Sequence, residues 1–319
     1  MNSEDFSLDN LETKLLIDVR TTTSCDYHRI VMPFSHCEIK PKVPVFIFNR
    51  ISTHGVEFLY KLKAAGVKII MDIDDHYQID PSHYLYSSFL RDGMMPHLMN
   101  NLKIADVVTT TTPLLASKLR HLNRNIVVIP NALPFDTDQF TMSEDKESKS
   151  PIVWVGGASH YNDLKEIQNL PSIDKITFVG FDENNQEWLK IKVDHPKALY
   201  ENQRKLYNYM DAYDGHKFAI APLADTVFNN CKSNLKVLEA GAKGIPIICS
   251  KVEPYYNSVD RDVVVFAGNK SEWNAQINKL CAYKDLREDR GAALAEHVRL
   301  HYNLHDANEL RRQVIESFS

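Results

Sequence analysis

Residues 218–250, FAIAPLADTVFNNCKSNLKVLEAGAKGIPIICS, constrain the fold most, because they read as a strand, a polar loop, a helix and a second strand. Residues 218–221 form an apolar run closed by Pro222, and residues 245–249 form another, entered through Gly244 and Pro246; both suit buried parallel strands. Between them Leu235, Leu238, Glu239 and Ala242 recur at helical spacing, with Ser233 or Asn234 placed to cap the first turn. A helix that begins beyond a strand's carboxyl end aims free N–H groups and a positive dipole end at the ligand side of a sheet. Lys232 and Lys236 add mobile positive charge there, so the unit suits a diphosphate.

The same alternation runs through the chain. Apolar runs at 14–19, 43–49, 67–73, 107–109 and 126–129, then at 152–155, 176–179, 218–221, 245–249 and 263–266, are separated by helical patterns, which predicts a parallel sheet in each half. A length of 319 residues favours two domains, expected at 1–133 and 151–305. They are joined by the polar, acidic linker 134–150 and followed by a helical segment at 306–319. Five cysteines with no zinc spacing, and a start that lacks the basic and apolar parts of a signal peptide, predict reduced thiols and a cytoplasmic setting. No apolar run approaches bilayer length.

The net charge of −5, with 14 Lys plus Arg against 14 Asp plus Glu in the first 133 residues, excludes a generally basic nucleic-acid binder. One local patch remains, Arg20, His28, Arg29, His36, Lys40, Lys42 and Arg50, read either as a solvated face or as a polyanion groove. No GxGxxG or GxxxxGK[ST] occurs, which argues against a dinucleotide oxidoreductase or a P-loop kinase.

Leu238, Glu239, Ala240, Gly244, Pro246 and Ser250 resemble the "lEA…G.P…S" element of retaining GT-B glycosyltransferases. GGASHYNDL from Gly156 resembles the glycine turn that opens their donor domain. ADVVTTTTP from Ala105 and NIVVIPNAL from Asn125 resemble the end of their first domain. The resemblance implies an α/β GT-B fold, two Rossmann-like parallel-sheet domains facing a cleft, with the C-terminal helix returning to the first domain. It implies an enzyme that moves a sugar from a nucleoside diphosphate, UDP by family habit, to an acceptor hydroxyl, with no metal or other cofactor.

On this reading Glu239 binds the donor's ribose hydroxyls, Gly156 and Gly157 receive the diphosphate, and Lys232, Ser233, Asn234 and Lys236 contact sugar and phosphate, with Lys232 also stabilising the leaving group. The family's second Glu, eight positions before Glu239, is here Cys231. The compact size and the KSNLKVLEAG run are similar to phage-encoded glycosyltransferases, some of which act on hydroxymethylated pyrimidines in DNA. DNA is therefore one expected acceptor, and a small sugar or lipid-linked hydroxyl is the other.

Several side chains keep two readings. His160, followed by Asp163, either contacts the donor or is solvent-exposed, with Ser159 as a cap. IIMDIDD at 69–75 puts Asp72, Asp74 and Asp75 at a strand's carboxyl end, with Asp72 and Asp74 expected on one side. There Asp72, Asp74 or Asp75 orients or deprotonates an acceptor hydroxyl, or caps a helix; a metal would need a third ligand that the sequence does not identify. Residues 21–29 and 74–76 are expected to line the acceptor side through Tyr27, His28, Arg29 and His76, with Arg29 on an anion or paired to Asp26 or Glu38. Two further functions fit the same fold: a nucleotide-sugar epimerase or hydrolase using His160 and Asp74, and a non-catalytic sugar-binding module.

Overall fold

The computed structural model describes residues 15–20, 23–143 and 150–318. Five strands build the first sheet: β1 (Leu15–Asp18), β2 (Val45–Asn49), β3 (Lys68–Ile73), β4 (Val107–Thr110) and β5 (Ile126–Val128), all parallel and in sequential order. The VFIFN and KIIMDI runs of β2 and β3 are apolar on both faces because helices cover both sides. Six strands build the second: β6 (Ile152–Val155), β7 (Ile176–Phe181), β8 (Leu199–Asn202), β9 (Phe218–Ala221), β10 (Ile247–Ser250) and β11 (Val265–Ala267), again parallel, in the order β11-β10-β9-β6-β7-β8.

The chain reverses direction across the second sheet at β6, which has β7 on one side and β9 on the other. Connections leave the two middle strands to opposite sides there, opening a crevice at their carboxyl ends. The turn after β6 and the loop after β9, both singled out in the sequence, end in that crevice.

Three apolar clusters hold the layers. One runs through both halves, from Ile47 and Ile70 under the first sheet through Leu133 and Phe140 to Val153, Leu238 and Ile315. A second covers the other face of the first sheet, and a third buries Trp154, Trp188 and Trp273 against the second. Each buried indole removes some 150–250 Å² from water, making these rings dominant contributors to the second core.

The described part of the expected linker is not a free excursion. Phe135 and Phe140 are buried, Arg299 pairs with Asp136 at 2.6 Å, and Ser143 N–H donates to the Lys243 carbonyl. Residues 144–149 of that segment, Lys14 of the first run and residues 21 and 22 of the acceptor loop lie outside the described residues. The C-terminal helix Leu304–Glu316 does return to the first half, where Asn308 Nδ2 donates to the Pro33 carbonyl at 3.0 Å.

Candidate active site

The helix Leu235–Lys243 begins in the crevice, and its first turn carries no side-chain cap. Asn234 stands at the cap position without capping, and Ser233 Oγ instead accepts from Asn131 Nδ2 of the first half at 2.7 Å. The expected capping by either residue therefore does not occur, and the helix's positive end is left for another acceptor.

Lys236, in the first turn, turns back over the Trp154 ring at 5.3 Å and donates to the Val155 carbonyl. Burial holds its pKa below the usual lysine value, with only partial relief from Glu239. Gly156 lies against the same ammonium: a Cβ built there would meet Lys236 Nζ at 3.3 Å and the Trp154 ring at 2.6 Å. Gly157 has room for a Cβ, whose nearest neighbour would be Ser159 Oγ at 3.9 Å. One glycine of the pair is thus required by packing, and the other leaves its backbone open.

One turn further along, Glu239 is buried and accepts from the Tyr213 hydroxyl at 2.6 Å. Burial raises its pKa, offset in part by Lys236 and by that hydrogen bond. Glu239 does not face solvent.

His160 ends the short turn after Gly157, and its Nδ1 meets Asp163 Oδ2 at 2.7 Å. Asp163 Oδ1 also accepts from the Ala224 N–H and from Asn229 Nδ2, tying the β6 turn to the β9 loop. Burial lowers the His160 pKa against the opposing pull of Asp163. The ring is neutral at pH 7, and the Nδ1 contact to the carboxylate assigns the proton to that nitrogen, leaving Nε2 as an acceptor.

Across the crevice, Lys232 Nζ pairs with Asp75 Oδ1 at 3.1 Å. Burial pulls the Asp75 pKa upward, but Lys232 and then Arg50 hold its carboxyl below the usual range; against its own burial, Lys232 has its pKa raised by Asp75. Arg50 reaches Asp74 at 3.3 Å and Asp75 at 3.6 Å, and donates to Cys25 Sγ at 2.7 Å. Sequence reasoning placed Arg50 only in a basic patch; its φ of 55° at the end of β2 is invisible in a residue string.

Four expectations are corrected. Asp72 does not share a side with Asp74, because β3 ends at Ile73 and strand alternation stops there. Asp72 points inward and binds Arg29 through both oxygens at 2.9 and 2.8 Å. Arg29 is correspondingly buried, with further bonds to the Ile129 carbonyl and Asn131, so it is a structural ion pair and faces neither an anion nor Asp26 or Glu38. His76 is held in a local turn by Gln78 and stacks on Tyr77, away from the charged cluster. Tyr27 accepts from Gln139, and His28 is sealed between Tyr27 and Tyr209, so both line the seam between the halves.

Five of the seven residues of the basic patch are buried or ion-paired. Arg29 and His28 are buried, Arg50 meets Asp74 and Asp75, Lys40 pairs with Glu38, and Arg20 pairs with Asp26. Among the described residues no three His, Cys, Asp or Glu side chains converge as metal ligands would, and no helix is long and apolar enough to cross a membrane.

Cys231, where the resemblance leads one to expect a Glu, is fully buried and packs into the core of the first half. Burial pushes its thiol up to about 11, so it is a small apolar contact across the seam and not a nucleophile. Its four fellow cysteines are likewise unpaired.

No protein-family model and no curated protein matches the sequence. Solved structures do match the fold. HepE from Anabaena, solved with UDP and glucose, aligns over 92% of this chain and 83% of its own, with TM-score 0.64 and 12% identity. The fold is that of GT-B glycosyltransferases. TarM from S. aureus aligns over 92% of this chain with TM-score 0.62 and 12% identity, and this chain spans 58% of TarM's length. Sucrose-phosphate synthase from Thermosynechococcus elongatus aligns over 85% of this chain and 73% of its own, with TM-score 0.59 and 12% identity.

Proposed function

We propose that this protein is a retaining glycosyltransferase that takes a sugar from a nucleoside diphosphate, UDP in the first instance, and needs no metal. The observation that carries the reading is Lys236. It is a half-buried ammonium bonded to a carbonyl and a ring face, beside an uncapped helix N-terminus and the Gly156–Gly157 turn. Three anion-seeking features at one point suit a diphosphate. Glu239, one turn on, would take the ribose hydroxyls, and HepE with UDP shares the fold.

In the proposed reaction the bond between the sugar's anomeric carbon and the terminal phosphate oxygen breaks, and the diphosphate leaves with the electron pair. Lys232, Lys236 and the helix N–H groups stabilise that charge as it develops. The acceptor oxygen bonds to the anomeric carbon and loses its proton to the departing phosphate or to Asp75. For Lys232 to serve, it must exchange Asp75 for phosphate, which releases Asp75 from that pair to orient the acceptor while Arg50 keeps its contacts with both Asp74 and Asp75. Ser233 and Asn234 border the same terminus.

Burial of Arg29 and His28 and the pairing of Arg50 with Asp74 and Asp75 leave less free positive charge for a polyanion, so a small or lipid-linked hydroxyl is the acceptor this reading takes. The anchored His160–Asp163 pair favours a second reading, donor hydrolysis or epimerisation, in which His160 Nε2 is the base. Calorimetry with UDP tests the site: Lys236→Ala and Glu239→Ala should each weaken binding about tenfold or more, and unchanged affinity in both would sink it. Turnover of a labelled UDP-sugar panel in EDTA separates the readings, since transfer needs an added acceptor whereas hydrolysis and epimerisation do not. Activity lost in EDTA and restored by Mn²⁺ would overturn metal independence.

A further inference from the structure

Beneath the C-terminal helix, Arg311 is 5% exposed. Its Nη1 donates to Asn308 Oδ1 at 3.1 Å, while its Nη2 is buried with no partner among the described residues. It borders a cavity of about 20 Å³ whose other polar walls are Arg29, Asp72 and Thr109, the rest being aliphatic or aromatic. That volume accommodates one particle of about the size of a water molecule.

The charges around it do not balance. Within the cavity's lining Arg29 and Arg311 face a single carboxylate, Asp74 acting on Arg29 alone and only through space, and Asp72 already accepts four hydrogen bonds, two from Arg29 and one each from Asn49 and Thr109. Cys37, the other titratable group that acts on Arg311, has its thiol pKa raised by burial and is neutral at pH 7. Arg312, next along the helix, reaches outward to Glu309. Burial and Arg29 lower the Arg311 pKa to about 9, which still leaves it charged at neutral pH. A buried unpaired cation is strongly unfavourable, and water in the cavity would satisfy Nη2 without neutralising it.

We infer that this cavity is a binding site for a monatomic halide, held by Arg311 Nη2 and fastening the C-terminal helix to the first sheet. A volume of about 20 Å³ suits a single-atom ion better than a polyatomic one, and the site is separate from the crevice, so it stands or falls independently of the proposed activity. Wild-type crystals grown in sodium bromide and measured at the bromine edge should show an anomalous peak within hydrogen-bonding distance of Arg311 Nη2. A map without that peak, whether it shows water or nothing, overturns the inference. In solution, replacing gluconate by chloride at constant ionic strength should raise the wild-type Tm saturably, and Arg311→Met should abolish the response. An equal response in Arg311→Met would also overturn it.

Discussion

At the scale of single residues, charge and burial decide what each candidate does. Cys231 sits where the sequence resemblance leads one to expect a carboxylate, yet its surroundings are the apolar core of the first half. Cys231→Glu would place an uncompensated acid there and should destabilise the chain by about 3 kcal/mol without improving UDP affinity; urea unfolding and calorimetry on one preparation check both. His28 makes a second residue-scale prediction. Burial lowers its pKa from the ordinary 6.5 to about 3, so between those values the unfolded chain binds a proton that the folded chain does not. Stability must therefore fall as pH drops from 6.5 toward 3, by up to about 1.4 kcal/mol per pH unit from this ring. His28→Phe keeps the ring contacts with Tyr27 and Tyr209 and should flatten that slope in denaturant titrations at pH 7 and pH 5. Glu239 and the glycine turn were legible because their motif is local. The Arg29–Asp72 pairing was not, since it joins residues 43 positions apart and strand alternation said nothing about a helix one layer away.

At the scale of elements, buried parallel strands announce themselves by continuous apolar runs, and β2, β3, β6 and β9 were all legible for that reason. β8 was not. LYEN is a half-exposed edge strand paired only to β7, with no apolar run to mark it. The glycine in β7 was passed over too. Gly180 has φ of 121°, and a Cβ there would stand 2.0 Å from the Gly156 carbonyl oxygen, so β7 directly shapes the turn after β6. Gly180→Ala should cost about 2 kcal/mol through strain and, because the relief pushes on Gly156, should also weaken UDP binding. A variant that loses Tm but binds UDP as wild type would show that β7 does not set the turn. An isolated glycine inside a strand pattern is the signal that could have found it.

At the scale of the whole molecule, the two halves are in direct contact where the donor is proposed to lie. Lys232 pairs with Asp75, Asn131 donates to Ser233, Asn162 donates to the Ser82 carbonyl, and Cys231 is inserted in the first half's core. A nucleotide bound as proposed at the start of the Leu235–Lys243 helix would meet this seam, and the contacts across it predict that the halves part before it binds. The sequence told of two sheets and a crevice but not of the seam, because contacts between halves follow no local period. Stopped-flow mixing with increasing UDP should therefore give an observed rate that levels off at the rate of opening, whereas direct entry into the closed arrangement would give a rate that climbs linearly. Asp75→Asn removes the ion pair that spans the seam and releases Lys232. It should raise the plateau and tighten UDP binding while lowering turnover, because the carboxylate proposed to orient the acceptor is gone. A linear rate in the wild type, or a plateau unmoved in Asp75→Asn, would mean that the Lys232–Asp75 pair does not govern entry to the site.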